Sequence, residues 1–370
     1  MKLLEALNIL EGARHRNGES FTCFLATGMN PLHLRTFLAA ELELIYVHQK
    51  VDVQRGLYGD FLGNLDRLAS ADADCGIILM EWTDLDPRLG LRTVTSWSPS
   101  TCTDILSNAK ARVLQVQQTI EKTHQRMPLV LCAPTLPLPP ISFVPGWQAS
   151  SFEIDLKALV QSVVSHVSRW AQVRVLSPQR IDLVSPLAER FDVKSELLSG
   201  FPYKLGHASA LASLLAQLTR MPAPKKGLIT DLDDTLWRGI LGEVGIDGIS
   251  WDLDHHSQMH AFYQCLLNAL TNEGVLLAVA SKNEASLVQE AFSRKDLALS
   301  ANSVFPLEVS WGPKSEAVAR ILQTWNVAAD SVVFVDDTAL ELAEVKAAHP
   351  EVECIQFPTK DSAAIYELVL

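Results

Sequence analysis

The chain has no Cys-x-x-Cys pair: its six cysteines stand apart along 370 residues, at positions 23, 75, 102, 132, 265 and 354. That spacing excludes zinc ribbons and thioredoxin-type redox motifs, and it leaves reduced, mostly buried thiols of the kind a cytosolic protein carries. No apolar run approaches the roughly 20 residues a membrane span needs. The opening stretch MKLLEALNILEGARHRNGES has neither the apolar core nor the cleavage site of a secretory signal. A cytoplasmic protein with no membrane contact is therefore expected. No basic run is interleaved with aromatic residues, which excludes the usual nucleic-acid footprint. Internal repeats and low-complexity tracts are missing as well.

What is present describes a globular protein: 48% apolar residues and 20% charged ones. The length allows two domains. The net charge of −12 is unevenly spread. Residues 227–370 carry 22 Asp and Glu against 8 Lys and Arg, a net of −14, while residues 1–226 carry 21 against 23. The acidity belongs to the C-terminal part, where it can hold a divalent cation as well as solvate a surface.

Apolar strand-like runs alternate with longer helical patterns, which predicts two successive α/β domains with parallel sheets. In residues 1–220 strands are expected near 20–27, 43–48, 75–81, 128–133 and 172–176, with helices near 31–42, 60–70, 102–126 and 151–170. The segment 134-PTLPLPPISFVPG-146 is an extended loop by its prolines. A helix over 207–220 leads into 221-MPAPKK-226, read as the linker. In residues 227–370 strands are expected at 227–232, 274–280, 303–310, 331–335 and 352–357. Helices are expected near 257–273, 284–294, 314–325 and 338–348.

The stretch 228-LITDLDDTLW-237 sets three carboxylates, Asp231, Asp233 and Asp234, at the end of a strand. Ligands of parallel α/β folds bind beyond the carboxyl ends of strands. Three further strand ends carry chemistry: Ser281-Lys282-Asn283, Lys314 at a helix start, and Asp336-Asp337. Together they fit phosphoryl transfer through a carboxylate nucleophile. Asp231, Asp336 and a backbone carbonyl make a hard, oxygen-lined site suited to Mg²⁺. Ser281 and Lys314 suit the phosphoryl oxygens, and Asp233 suits a general acid and base. An acidic helix cap would explain the first cluster but neither Lys314 nor the second acidic pair.

These four motifs resemble the haloacid dehalogenase-like (HAD) phosphohydrolases. The runs DLDDTLWRGILGEVGIDGI, LLAVASKNE, SWGPKSEAV and FVDDT resemble, more closely, the FkbH-like proteins of subfamily IIIC from polyketide assembly lines. The likeness covers most of 227–358 and, more faintly, the first domain, which in such relatives is similar to SGNH hydrolases. It implies Asp231 as nucleophile, Asp233 as acid/base, Thr235 as positioning hydroxyl and Ser281 and Lys314 as phosphate ligands. Asp231, Asp336 and the Asp233 carbonyl would hold Mg²⁺, with Asp337 a further acidic site residue. It also implies loading of a glyceryl unit from 1,3-bisphosphoglycerate onto a phosphopantetheinylated acyl carrier protein. Three positions depart from the pattern: Ala280 where many relatives carry Cys, Thr338-Ala339 in place of Asn-Pro, and Arg238 in place of Gly. Without a thiol at Ala280, a capless phosphatase acting on a small phosphate ester or phosphoprotein stays open. So does a non-catalytic scaffold that binds a carrier protein.

The gaps of 50 residues from Asp231 to Ser281 and 33 from Ser281 to Lys314 are filled by a helix and a loop each, leaving no room for a cap domain. In the first domain, 25-LATGMNPLHL-34 lacks the serine of an SGNH nucleophile, and Lys204 stands three residues before His207 where Asp would be needed. A non-hydrolytic docking or lid domain is the expectation, its near-neutral charge suited to an acidic carrier protein. His207 and His33 read as residues near helix starts, Cys265 as core, and 251-WDLDHH-256 as a polar loop. Trp237, Trp251 and Trp311 are expected near the site.

Overall fold

A computed structural model describes residues 1–14, 18–93, 98–139, 144–220 and 224–369. The chain divides into two compact units, Met1–Met221 and Pro222–Leu370. No helix among the described residues is long and apolar enough to cross a membrane.

The first unit is built on β1 (Ser20–Ala26), β2 (Lys50–Arg55), β3 (Cys75–Leu79), β4 (Leu129–Cys132) and β5 (Val173–Val175). They form one parallel sheet in the order β2-β1-β3-β4-β5. Every residue of β3 and β4 is buried, as expected for central strands covered on both faces. Alternation along β1 feeds two cores. Cys23 and Leu25 pack with Phe37, Leu42 and Leu211 on one face, and Phe24 and Ala26 pack with Leu65, Ile78 and Val113 on the other. The result is a three-layer α/β unit.

The expected strand at 43–48 is not there. The helix Leu32–Ile45 runs through it, and the strand is Lys50–Arg55. The alternation in ELELI fits a strand over five residues, but Leu34, Phe37, Leu38 and Leu42 continue a helical stripe, and that longer stripe wins. Helices at Leu3–Ala13, Pro178–Val184 and Val193–Ser199 are present that the sequence reading did not assign. The Pro-rich segment carries no helix or strand in its described residues 134–139 and 144–146; positions 140–143 lie outside them. Of the 221–226 segment, 221–223 also lie outside the described residues. Lys226 N donates to the Ser331 carbonyl at 2.7 Å, and Lys225 pairs with Glu353 at 3.0 Å, so both lysines belong to the second unit.

The second unit holds β6 (Gly227–Thr230), β7 (Leu276–Ser281), β8 (Leu307–Val309), β9 (Val332–Asp336) and β10 (Glu353–Gln356), all parallel in the order β10-β9-β6-β7-β8. Ile229, Ala278, Ala280 and Phe334 feed one core; Leu277, Val279 and Val335 feed the other. Between β6 and β7 the described chain forms a short helix, an Arg238–Ser250 bridge and the helix Gln258–Asn272, with no inserted domain. The unit is a capless, Rossmann-like parallel sheet.

Candidate active site

The site residues fall at the carboxyl ends of three adjacent strands because the register puts them there. Thr230 of β6 pairs with Val335 of β9 and Val279 of β7. Asp231 therefore follows β6 beside Asp336, the last residue of β9, and close to Ser281, the last of β7. The Asp231 amide donates to the Val335 carbonyl at 2.9 Å, extending the ladder to the site itself.

Lys314, the first residue of the helix Lys314–Trp325, carries a buried ammonium between the two carboxylates. Its Nζ lies 2.9 Å from Asp231 Oδ1 and 2.5 Å from Asp336 Oδ2. The same ammonium thus faces both carboxylates, in a hydrogen bond to Asp336 and an ion pair with Asp231. Burial pushes the Asp231 carboxyl up, against the pull of Lys314 and the Ser281 hydroxyl. Asp336 is raised first by burial and then by Asp231. Burial works against the Lys314 charge, but the two carboxylates overcome it and hold the ammonium above its usual range. Asp337 is raised by burial and by Asp336.

Carboxylate oxygens of Asp231, Asp336 and Asp337 lie within 4.8 Å of one another, the one such group among the described residues able to hold a metal ion. Three hard oxygen donors match Mg²⁺ chemistry. Thr235 is fully buried, and its hydroxyl has no partner. Its carbonyl accepts from His260 Nδ1 at 2.9 Å, which fixes the turn that carries it.

Asp233 sits apart from the metal group. Its Oδ1 accepts from Trp237 Nε1 at 2.9 Å and from the Leu241 amide at 3.1 Å, and its Oδ2 accepts from Asn283 Nδ2 at 2.8 Å. Asp234 takes a left-handed conformation, φ 51°, and its carboxylate accepts from the amide of Gly239, whose own φ is 104°. These two residues tie the 231–239 turn together, and glycine at 239 suits its positive φ. Asp231, Ser281, Lys314, Asp336 and Asp337 thus gather at one sheet edge, with Thr235 and Asp233 in the turn after β6.

Reading residues one by one missed Asn283 and Trp237 as the groups that orient Asp233, although both stand inside motifs already singled out. Trp251 instead donates to the Asp296 carbonyl and stacks under Arg294, and Trp311 is largely exposed. Cys265 is exposed, not core: it lies opposite the buried stripe of His260, Tyr263, Gln264 and Leu267 on its helix. Ala280 is fully buried. His255 pairs with Asp252 at 2.8 Å on the surface, so the 251–256 loop is a local cap and not part of a three-residue metal group.

With this geometry in hand, comparison with solved structures is decisive for the fold. The N-terminal part of the protein BF1531 from Bacteroides fragilis, which contains a phosphatase domain and was solved in complex with Mg, matches at a TM-score of 0.76 and 18% identity. That match covers 100% of this chain and 98% of the other. At that identity the match shows that the two chains share a fold over their whole length. Over about half of this chain, a GDSL-like lipase from Parabacteroides merdae (11% identity, 55% of this chain and 98% of that one) matches at a TM-score of 0.34. The salicylyl-acyltransferase SsfX3 of a tetracycline biosynthetic pathway (14% identity, 54% of each chain) scores the same. Values that low carry no argument. No protein-family model matches the sequence, and no curated protein is similar to it.

In the first unit, the serine bonded to His207 is the buried Ser185, not a residue of the 25–34 segment that follows β1. His207 is buried, with Nδ1 bonded to Ser185 at 2.9 Å and Nε2 to Thr135 at 3.1 Å; burial and the nearby Arg190 depress it to about 3. It belongs to a buried network around Glu81, whose carboxylate accepts from the Thr135 hydroxyl and amide, the Leu136 amide and Tyr203. Nothing in the sequence singled out Glu81, because a lone Glu after a strand has no motif. His33 packs edge-on against Phe201.

Proposed function

We propose that the second unit is a Mg²⁺-dependent phosphatase of the aspartyl-phosphate type. The observation that carries this reading is the buried ammonium of Lys314 set between Asp231 and Asp336, with Asp337 completing a three-carboxylate group. The Asp231 carboxylate, facing the Lys314 ammonium beside Asp336, suits the attacking group and a metal ligand. Asp231, Asp336 and the Asp233 carbonyl would hold Mg²⁺, with Asp337 alongside, and the cation when bound neutralises charge between nucleophile and phosphate. Lys314, Ser281 and the unpartnered Thr235 hydroxyl bind the phosphoryl oxygens and offset the charge that builds in the transition state. Asp233 protonates the leaving oxygen and then takes a proton from water, once it exchanges one of its three donors for the substrate.

The FkbH-like motifs support a narrower substrate: an acyl phosphate such as 1,3-bisphosphoglycerate, with an acyl carrier protein as acceptor in polyketide biosynthesis. In that reaction the carrier thiolate attacks the acyl carbon and the C1 phosphate leaves, giving a 3-phosphoglyceryl thioester. The 3-phosphate ester is then hydrolysed by the Asp231 chemistry, its phosphoryl group held by Lys314, Ser281 and Thr235, to leave the glyceryl unit. Ala280 offers no thiol for a covalent glyceryl-enzyme, so the acyl group passes directly to the carrier. Docking of the carrier on the near-neutral first unit is part of the same reading.

The test is phosphate release from freshly generated 1,3-bisphosphoglycerate with Mg²⁺, with intact-mass analysis of a pantetheinylated carrier protein in the same tube. Asp231→Asn should lower phosphate release at least ~1,000-fold. Undiminished release by that variant refutes the aspartyl-phosphate mechanism. A glyceryl adduct on the carrier selects transfer, and phosphate with an unmodified carrier selects hydrolysis.

A further inference from the structure

The first unit holds a cavity of about 530 Å³ that the phosphatase chemistry does not use. It opens at the carboxyl ends of three neighbouring strands: Gly28 and Met29 follow β1, Glu81 to Asp84 follow β3, and Leu136 to Leu138 follow β4. In a parallel sheet that edge is where ligands sit. The volume is that of a small-molecule site, and the walls are mostly apolar, with Met29, Phe61, Trp82, Leu89, Leu138 and Phe191 among them.

The charged groups on the wall are few, and most are already satisfied. Glu81 accepts from Thr135, Leu136 and Tyr203. Arg92 is held by the Glu196 carboxylate at 3.2 Å and by its carbonyl. Asp84 accepts from the Glu81 amide at 2.8 Å, and burial, helped by Glu81, pushes its carboxyl up to about 7. Arg112, from the helix Pro99–Thr123, is different. It donates once, from Nη1 to the Asp84 carbonyl at 2.8 Å, and has no carboxylate within ion-pair reach among the described residues. Among the described residues the rest of its fork has no hydrogen-bond partner, although its charge is felt at the Asp84 carboxyl. A half-buried guanidinium in an apolar cavity calls for an anion of planar, two-oxygen shape.

We propose that this cavity binds a molecule with a hydrocarbon body and a single carboxylate, the body against the apolar wall and the carboxylate on Arg112. The site binds and does not cleave. Thr27-Gly28-Met29 follows β1 with no serine, and both nitrogens of His207 are engaged by Thr135 and Ser185. The proposal is independent of the reaction assigned to the second unit.

Calorimetric titration of the full-length protein at pH 6.5 with decanoate, decan-1-ol and decylamine tests it. Decanoate should bind at one per chain, at least tenfold more tightly than the alcohol or the amine, and Arg112→Gln should erase that preference. Alcohol or amine binding as tightly as decanoate overturns the proposal. So does the absence of saturable decanoate binding up to about 1 mM, or a preference that survives in folded Arg112→Gln. Should that variant fail to fold, Leu138→Trp, which fills the cavity, must abolish decanoate binding at an unchanged thermal midpoint; binding that persists there overturns the assignment.

Discussion

Replacing Lys314 with Met removes the one cation that, among the described residues, pairs with Asp231 and Asp336, and it leaves two buried carboxylates beside each other. At separations of 2.9 and 2.5 Å, each contact is worth about 6 kcal/mol at an effective dielectric of ~20, before desolvation of the three groups is subtracted. Removal of one partner from a buried ion pair costs about 3–5 kcal/mol in practice, because the remaining charge stays buried and uncompensated. For a unit of this size that corresponds to a fall of roughly 10–20 °C in thermal midpoint. The penalty depends on pH in a fixed direction. Both carboxylates are already raised by burial, and losing Lys314 raises them further, so acidification protonates them in the folded variant and removes the repulsion. The gap between wild type and Lys314→Met is therefore widest above neutrality and narrows as pH falls. Mg²⁺ should stabilise the variant more than the wild type, since the variant's carboxylate group carries one more unneutralised negative charge. Thermal unfolding in EDTA and in Mg²⁺, at pH 5 and pH 8, measures all three effects. A loss below about 1 kcal/mol at pH 8, or one that grows on acidification, refutes the reasoning.

Trp237→Phe removes the Nε1 donor from Asp233 while keeping most of the buried ring; kcat should fall about tenfold with KM nearly unchanged, read from steady-state kinetics. Tyr203→Phe deletes one donor to buried Glu81 and should cost about 1.5–3 kcal/mol in chemical denaturation, whereas Glu81→Ala strands the Thr135 and Leu136 amides as well and should cost more. Asp84 and His207 pull the first unit's stability in opposite directions with pH. Folded Asp84 keeps its proton up to about 7, so its contribution is present below about 4 and is lost as pH rises to 7. Folded His207 stays neutral down to about 3, so its contribution is present above about 6.5 and is lost as pH falls to 3. Asp84→Asn should make the slope of stability against pH between about 4 and 6.5 more positive by up to ~1.4 kcal/mol per unit, whatever it does to absolute stability. An unchanged slope in urea titrations across that range rules this out.

The second unit was legible because its chemistry is local: each motif sits at a strand end, and each strand is an apolar run that breaks at a polar residue. DLDDT, Ser281, Lys314 and Asp336-Asp337 needed only the rule that strand ends share an edge. The first unit was less legible. Its Glu81 network joins residues up to 122 positions apart, and no local pattern marks a Glu whose oxygens will be filled by a hydroxyl, two amides and a phenol. The 43–48 stretch failed because five alternating residues fit both periods, and the decision lay upstream in Leu34 to Leu42. Cys265 failed because an apolar helix in a small unit buries only a narrow stripe, and one position off that stripe faces solvent.

The pairing of Thr230 with Val335 has a consequence for how such a site can change. The spacing between Asp231 and Asp336 is a property of alignment between two strands and owes little to the reach of either side chain. Point substitutions along β9 can alter packing yet leave the two charges side by side. A single residue inserted or deleted within β9 would instead turn Asp336 to the opposite face and bring a neighbour into its place. The chemistry is therefore tolerant of spelling and intolerant of length: in a lineage of such chains, the segments bounding this site would vary in identity long before they vary in count.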